Sequence, residues 1–114
     1  MTEEDKKAIG EFKKAVNMTA KKLEKWLETA ESKKVGFKDD GAGESVGHGS
    51  GRKIIKLLNK KQSEYTAGDL KHVHKVVGYI HRHLAQKPDG DITETNWRYS
   101  LMNWGHDPKN KEEV

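Results

Sequence analysis

With 114 residues, 32% of them hydrophobic and 35% charged, the chain has material for one thin core beneath a densely ionic surface. The absence of cysteine excludes disulfides and thiolate metal sites, and no apolar run approaches membrane-spanning length. The net charge of +4 is small but unevenly placed: residues 52–87 hold nine Lys or Arg against two Asp or Glu, a net of +7, and residues 88–114 hold three against six, a net of −3.

The opening MTEEDKK is acidic and polar, unlike a signal peptide, so the expected class is a soluble cytoplasmic domain with no membrane partner. Residues 3–16 place Ile9, Phe12 and Val16 on one helical face, with Thr2 as a cap and acidic residues at the positive end of the dipole. Asn17-Met18 interrupts the pattern. Thr19 then caps a second helix, in which Leu23, Trp26, Leu27 and Ala30 recur at helical spacing. Residues 33–51 read as a long loop, because six of the eleven glycines lie between Gly36 and Gly51. A third helix is expected to begin at Gly49 or Ser50, with Ile54, Leu57 and Leu58 inward and Lys53, Lys56 and Lys60 on the opposite side. Thr66 and Asp69 form a capping-box pattern for a fourth helix. It runs to about Gln86 before Pro88, with Leu70, Val73, Val77, Ile80 and Leu84 as its stripe and Lys71, Lys75 and Arg82 nearly opposite. TETNWRYSLMNWGHDP reads as a last short helix, with Gly105 just past its end. The last residues, 109–114, are expected to fray. The fold class is therefore all-α: one domain, a compact bundle of about five helices with one long glycine-rich loop.

ESVGHGSGRKIIKLL joins glycines to two cations at a helix start, which is chemistry suited to a phosphate oxygen. It lacks the spacing of a Walker A loop and no strand precedes it, so nucleotide hydrolysis is not indicated. The plainer reading is a connector with an ordinary cap. The histidines of HVHKVVGYIHRH do not form a metal motif: His72 and His74 project about 160° apart, as do His81 and His83, and no i, i+4 pair exists. His74 and His81 border the apolar stripe and are expected to pack and to hydrogen-bond. His72 and His83 are expected to face phosphates or water and to gain charge below about pH 6.5. Glu44, Ser45, His48 and Ser50 lie close in sequence, but without the strand-turn-helix setting of a nucleophile. Trp26, Trp97 and Trp104 are expected inside.

VNMTAKKLEKWLETAES, GESVGHGSGRKIIKLL, HKVVGYIHRHLAQKP and TNWRYSLMNWGHDP together resemble the domain-of-unknown-function family 3140, small bacterial and fungal proteins of which some carry the label DNA-binding protein. The resemblance runs from about Phe12 to Pro108. It implies that residues 44–51 and the segment ending at Pro108 belong to the domain.

The reading that joins these features is a small basic nucleic-acid-binding protein. Duplex DNA is favoured, held by phosphate contacts with little sequence preference, with no catalytic residues, no metal and no cofactor. Gly49, Ser50, Gly51, Arg52 and Lys53 would hold phosphates at the helix start, and Lys56, Lys60, Lys71, Lys75 and Arg82 would extend the surface. Such a protein would be nucleoid-associated or nuclear. The alternative is a helical protein-interaction module with neither nucleic-acid nor catalytic activity.

Overall fold

Five threonines set the helix starts. Thr2, Thr19, Thr29, Thr66 and Thr95 each take extended backbone, and each hydroxyl accepts from the amide three residues on. At Thr2 and Thr66 the reciprocal bond from Asp5 or Asp69 completes a capping box. The computed structural model describes residues 2–35 and 46–109. Residues 36–45 of the expected loop and 110–114 of the expected frayed end lie outside these. Lys109 is tied down: its amide donates to Asp107 Oδ1 at 3.0 Å and its Nζ to Thr93 Oγ1 at 2.8 Å.

The described residues are all-α. They form α1 (Glu3–Ala15), α2 (Ala20–Leu27), α3 (Ala30–Lys34), α4 (Val46–Leu58), α5 (Ala67–Leu84) and α6 (Asn96–Asn103), with a 3₁₀ turn at Gln62–Glu64. Helix α1 packs on α5 and α2 on α4, while α6 touches α2, α3, α4 and α5. One continuous core results. Ile9 and Phe12 of α1, Leu23 of α2, Ile54 of α4, Val73, Val76 and Ile80 of α5 and Leu101 of α6 are essentially sealed from solvent.

Two boundaries depart from the sequence expectation. The second helix ends at Leu27, and Thr29 caps a separate α3; its hydroxyl also donates to the Trp26 carbonyl at 2.7 Å, a local bond that competes with helical continuation. The larger correction concerns the glycine-rich loop, whose last part, 46–51, is helix. Helix α4 begins at Val46, so Gly49, Ser50 and Gly51 lie inside it. Glycine disfavours helix when taken alone, yet here it permits close packing. A Cβ on Gly51 would stand 2.6 Å from the Asn103 carbonyl oxygen and 2.9 Å from Leu27 Cδ2.

Helix α6 is locked at its C-terminal end. Gly105, at φ +84°, and His106 return their amides to Met102 and Leu101, the Schellman pattern anticipated at Gly105. The Gly105 carbonyl accepts from the Met18 amide at 3.1 Å, stitching this end to the α1–α2 connection. Asn103, 1% exposed, accepts from Trp26 Nε1 at 2.8 Å and from the Ser32 hydroxyl, and donates to the Ser32 carbonyl at 3.1 Å. One buried amide thereby joins α2, α3 and α6. No helix among the described residues is long and apolar enough to cross a membrane.

Candidate phosphate-binding groove

The apolar stripe of α5 faces α1, but the helix buries a second face. His72, Tyr79 and His83 point towards α6 and form a ring column with its tryptophans. Tyr79 stacks on Trp104 at 4.1 Å between centroids, His72 lies beyond Trp104 at 6.3 Å, and His83 lies between Tyr79 at 5.2 Å and Trp97 at 5.7 Å. This reverses the expected histidine roles. His72 and His83 are half-buried, whereas His74 and His81 are exposed, and His74 Nε2 meets Asp5 Oδ1 at 3.0 Å. The period of α5 shows its stripe against α1; that α6 would cover a second side is a tertiary fact.

The consequence for charge is direct. Burial pushes His72 down to about 4, with Lys53 and Lys75 adding to the effect. Burial also lowers His83. Neither therefore gains charge near pH 6.5 as expected from its type. Ser50 Oγ lies 2.9 Å from His72 Nε2, the spacing of a nucleophile and base. Ser50 is only 4% exposed, within a helix, and a histidine of that acidity is a poor base at neutral pH. The pair ties α4 to α5.

Gly49, Ser50 and Gly51 therefore do not form the exposed helix start expected of them. Ser50 and Gly51 are buried and their amides belong to the helical ladder; Gly49 is half-buried. Arg52 is exposed on α4. Lys60 is held by Asp69, Nζ to Oδ2 at 2.6 Å, and this contact is the main cause holding the Asp69 carboxyl below its ordinary range. The remaining cations converge. Lys53 and Lys56 of α4 and Lys71 and Lys75 of α5 line one open groove of about 500 Å³, beside His72 and Leu57. The acid at this groove is Asp69, already engaged by Lys60. Arg82, one turn and more along α5, sits at a neighbouring pocket that shares Lys75. Lys53 and Lys75 both lie near enough to His72 to disfavour its charged form.

Sequence spacing separated these lysines into two faces of two helices. Only the α4–α5 packing makes them a single surface. Among the described residues no group of three or more His, Asp or Glu could hold a metal ion.

No curated protein and no solved structure matches the chain. A family model described as "protein of unknown function (DUF3140)" matches residues 11–102, which takes in every helix from late α1 to nearly the end of α6. The chain belongs to that family.

Proposed function

We propose that this protein binds nucleic acid, with duplex DNA favoured, by holding backbone phosphates in the α4–α5 groove. One observation carries the reading: Lys53, Lys56, Lys71 and Lys75 come from two helices to line a single groove whose nearby acid is already paired. Lysine–phosphate contacts give affinity without reading bases, since the ammonium is a point charge with freely rotating donors. His72 stays neutral at physiological pH and so shapes the groove without adding charge. Arg52 and Arg82 extend the cationic surface along α4 and α5. Leu58 and Leu84 are the large exposed hydrophobic residues among those described, each 36% exposed, which offers little to a partner seated on apolar anchors.

The test is fluorescence anisotropy with labelled duplex DNA, single-stranded DNA and duplex RNA between about 50 and about 200 mM salt. Four phosphate contacts give a log–log salt slope of about −3.6, and Lys71→Ala with Lys75→Ala reduces its size by about 1.8. Absence of binding to all three at low salt refutes the reading. Binding that the lysine pairs leave unchanged refutes the groove.

A further inference from the structure

Beside the lysine groove lies a smaller pocket of about 220 Å³, lined by Gly47 of α4, Lys75, Tyr79 and Arg82 of α5, and Ser100 and Trp104 at α6. Trp104 is 3% exposed. The other two indoles have acceptors: Trp26 Nε1 donates to Asn103 Oδ1 at 2.8 Å and Trp97 Nε1 to the His83 carbonyl at 2.8 Å. Among the described residues, Trp104 Nε1–H has none. It is not sealed, because no fully buried side-chain nitrogen or oxygen among these residues lacks a partner. The N–H therefore opens on the pocket that Trp104 lines.

Gly47 explains what that opening accommodates. A Cβ at this position would lie 3.0 Å from Trp104 Nε1, a hydrogen-bond distance. Any side chain here would crowd the indole N–H, and glycine keeps that edge clear. The surroundings specify the acceptor's charge. Among the described residues Lys75 and Arg82 line the pocket and no carboxylate does, and Ser100 adds a hydroxyl. Val46, the first described residue of α4, also lines the pocket. The rings of Tyr79 and Trp104 stack face to face at 4.1 Å, so the pocket meets their edges and favours a small head group over a stacked base.

We propose that this pocket binds a single phosphate group, with Trp104 Nε1 donating to one of its oxygens and Lys75 and Arg82 balancing its charge. The proposal stands on Trp104 and Gly47, separately from the groove. Because Lys75 lines both, the phosphate belongs either to a small phosphomonoester or to the end of a nucleic-acid strand lying in the groove.

The experiment is a titration of the full ¹⁵N-labelled chain with inorganic phosphate at constant ionic strength, chloride serving as reference. The Trp104 indole resonance, assigned through Trp104→Phe, moves downfield and saturates while those of Trp26 and Trp97 stay. Arg82→Gln, at an exposed position, weakens the response roughly tenfold, and Gly47→Ala, whose methyl crowds the indole N–H, removes it. Three indole resonances unmoved by phosphate, or all three moving together, overturn the proposal. So does a response that Arg82→Gln leaves intact. An oligonucleotide with a 5′-phosphate, compared with the same strand lacking it and with a free phosphomonoester, identifies the source. Loss of duplex binding in Lys53→Ala with Lys56→Ala, which line the groove and not this pocket, with the phosphate response retained, separates the two sites.

Discussion

Gly51→Ala and Gly10→Ala are the same chemical change in two helix interiors, and the structure assigns them opposite signs. Intrinsic propensity alone favours alanine at each by about 1 kcal/mol. At Gly10 no atom lies within 4 Å of the added methyl, so that gain survives and Gly10→Ala stabilises by about 0.5–1 kcal/mol. At Gly51 the methyl would stand 2.6 Å from the Asn103 carbonyl oxygen and 2.9 and 3.0 Å from the two Leu27 methyls. Leu27 can change rotamer, but the carbonyl can withdraw only if α6 moves away from α4. Overpacking of this kind costs about 1–3 kcal/mol, and a backbone contact belongs at the upper end. With the propensity gain subtracted, Gly51→Ala destabilises by about 1–2 kcal/mol. The two variants should then differ by about 1.5–3 kcal/mol in urea denaturation followed by tryptophan fluorescence and far-UV circular dichroism. A Gly51→Ala protein as stable as the wild type would show that α4 and α6 do not approach so closely, and would undo the account of why glycines occupy this helix.

Asn103→Ala removes the acceptor shared by Trp26 and Ser32 and leaves buried donors unpaired; a loss of about 2–4 kcal/mol is expected in the same denaturation assay. His72 titrates lower in the folded chain than in the unfolded one, so the unfolded state binds more protons between about 6.5 and 4. Stability is therefore complete above that window and falls progressively as pH drops through it, with His83 acting in the same direction. Urea midpoints at pH 7 and pH 5 check this, and His72→Gln flattens the dependence. Because His72 stays uncharged, duplex affinity should not rise through this residue between pH 7 and about pH 5; a rise that His72→Gln abolishes would refute its neutrality. Arg98→Ala breaks a fork–fork pair with Asp107, Nε to Oδ1 at 3.0 Å and Nη2 to Oδ2 at 3.1 Å, and strands a half-buried carboxylate. Burial opposes ionisation of Asp107, and Arg98 with the Lys109 amide overcomes it. The expected loss is about 1–3 kcal/mol, smaller at low pH where the carboxyl is protonated.

Local rules settled much of this protein before any packing was known. Period and capping chemistry place α1, α5 and α6 within a residue or two, since a threonine hydroxyl and a capping-box aspartate act on amides three residues away whatever surrounds them. Gly105 likewise ends α6 because the Schellman turn requires a left-handed residue there. Charge counting found the cationic block, because charge is additive along the chain. Packing decided the rest. Glycine has no side chain with which to declare a partner, so the close packing of Gly51 on Asn103 and Leu27, which lie far away in sequence, is not legible in the chain. A histidine's exposure depends on which helix lands on it, so His72 and His83 exchanged roles with His74 and His81 once α6 covered a second face of α5. Helical spacing orders residues on one helix only. The convergence of Lys53 and Lys56 with Lys71 and Lys75, and the open indole of Trp104 beside Gly47, exist only because α4, α5 and α6 meet.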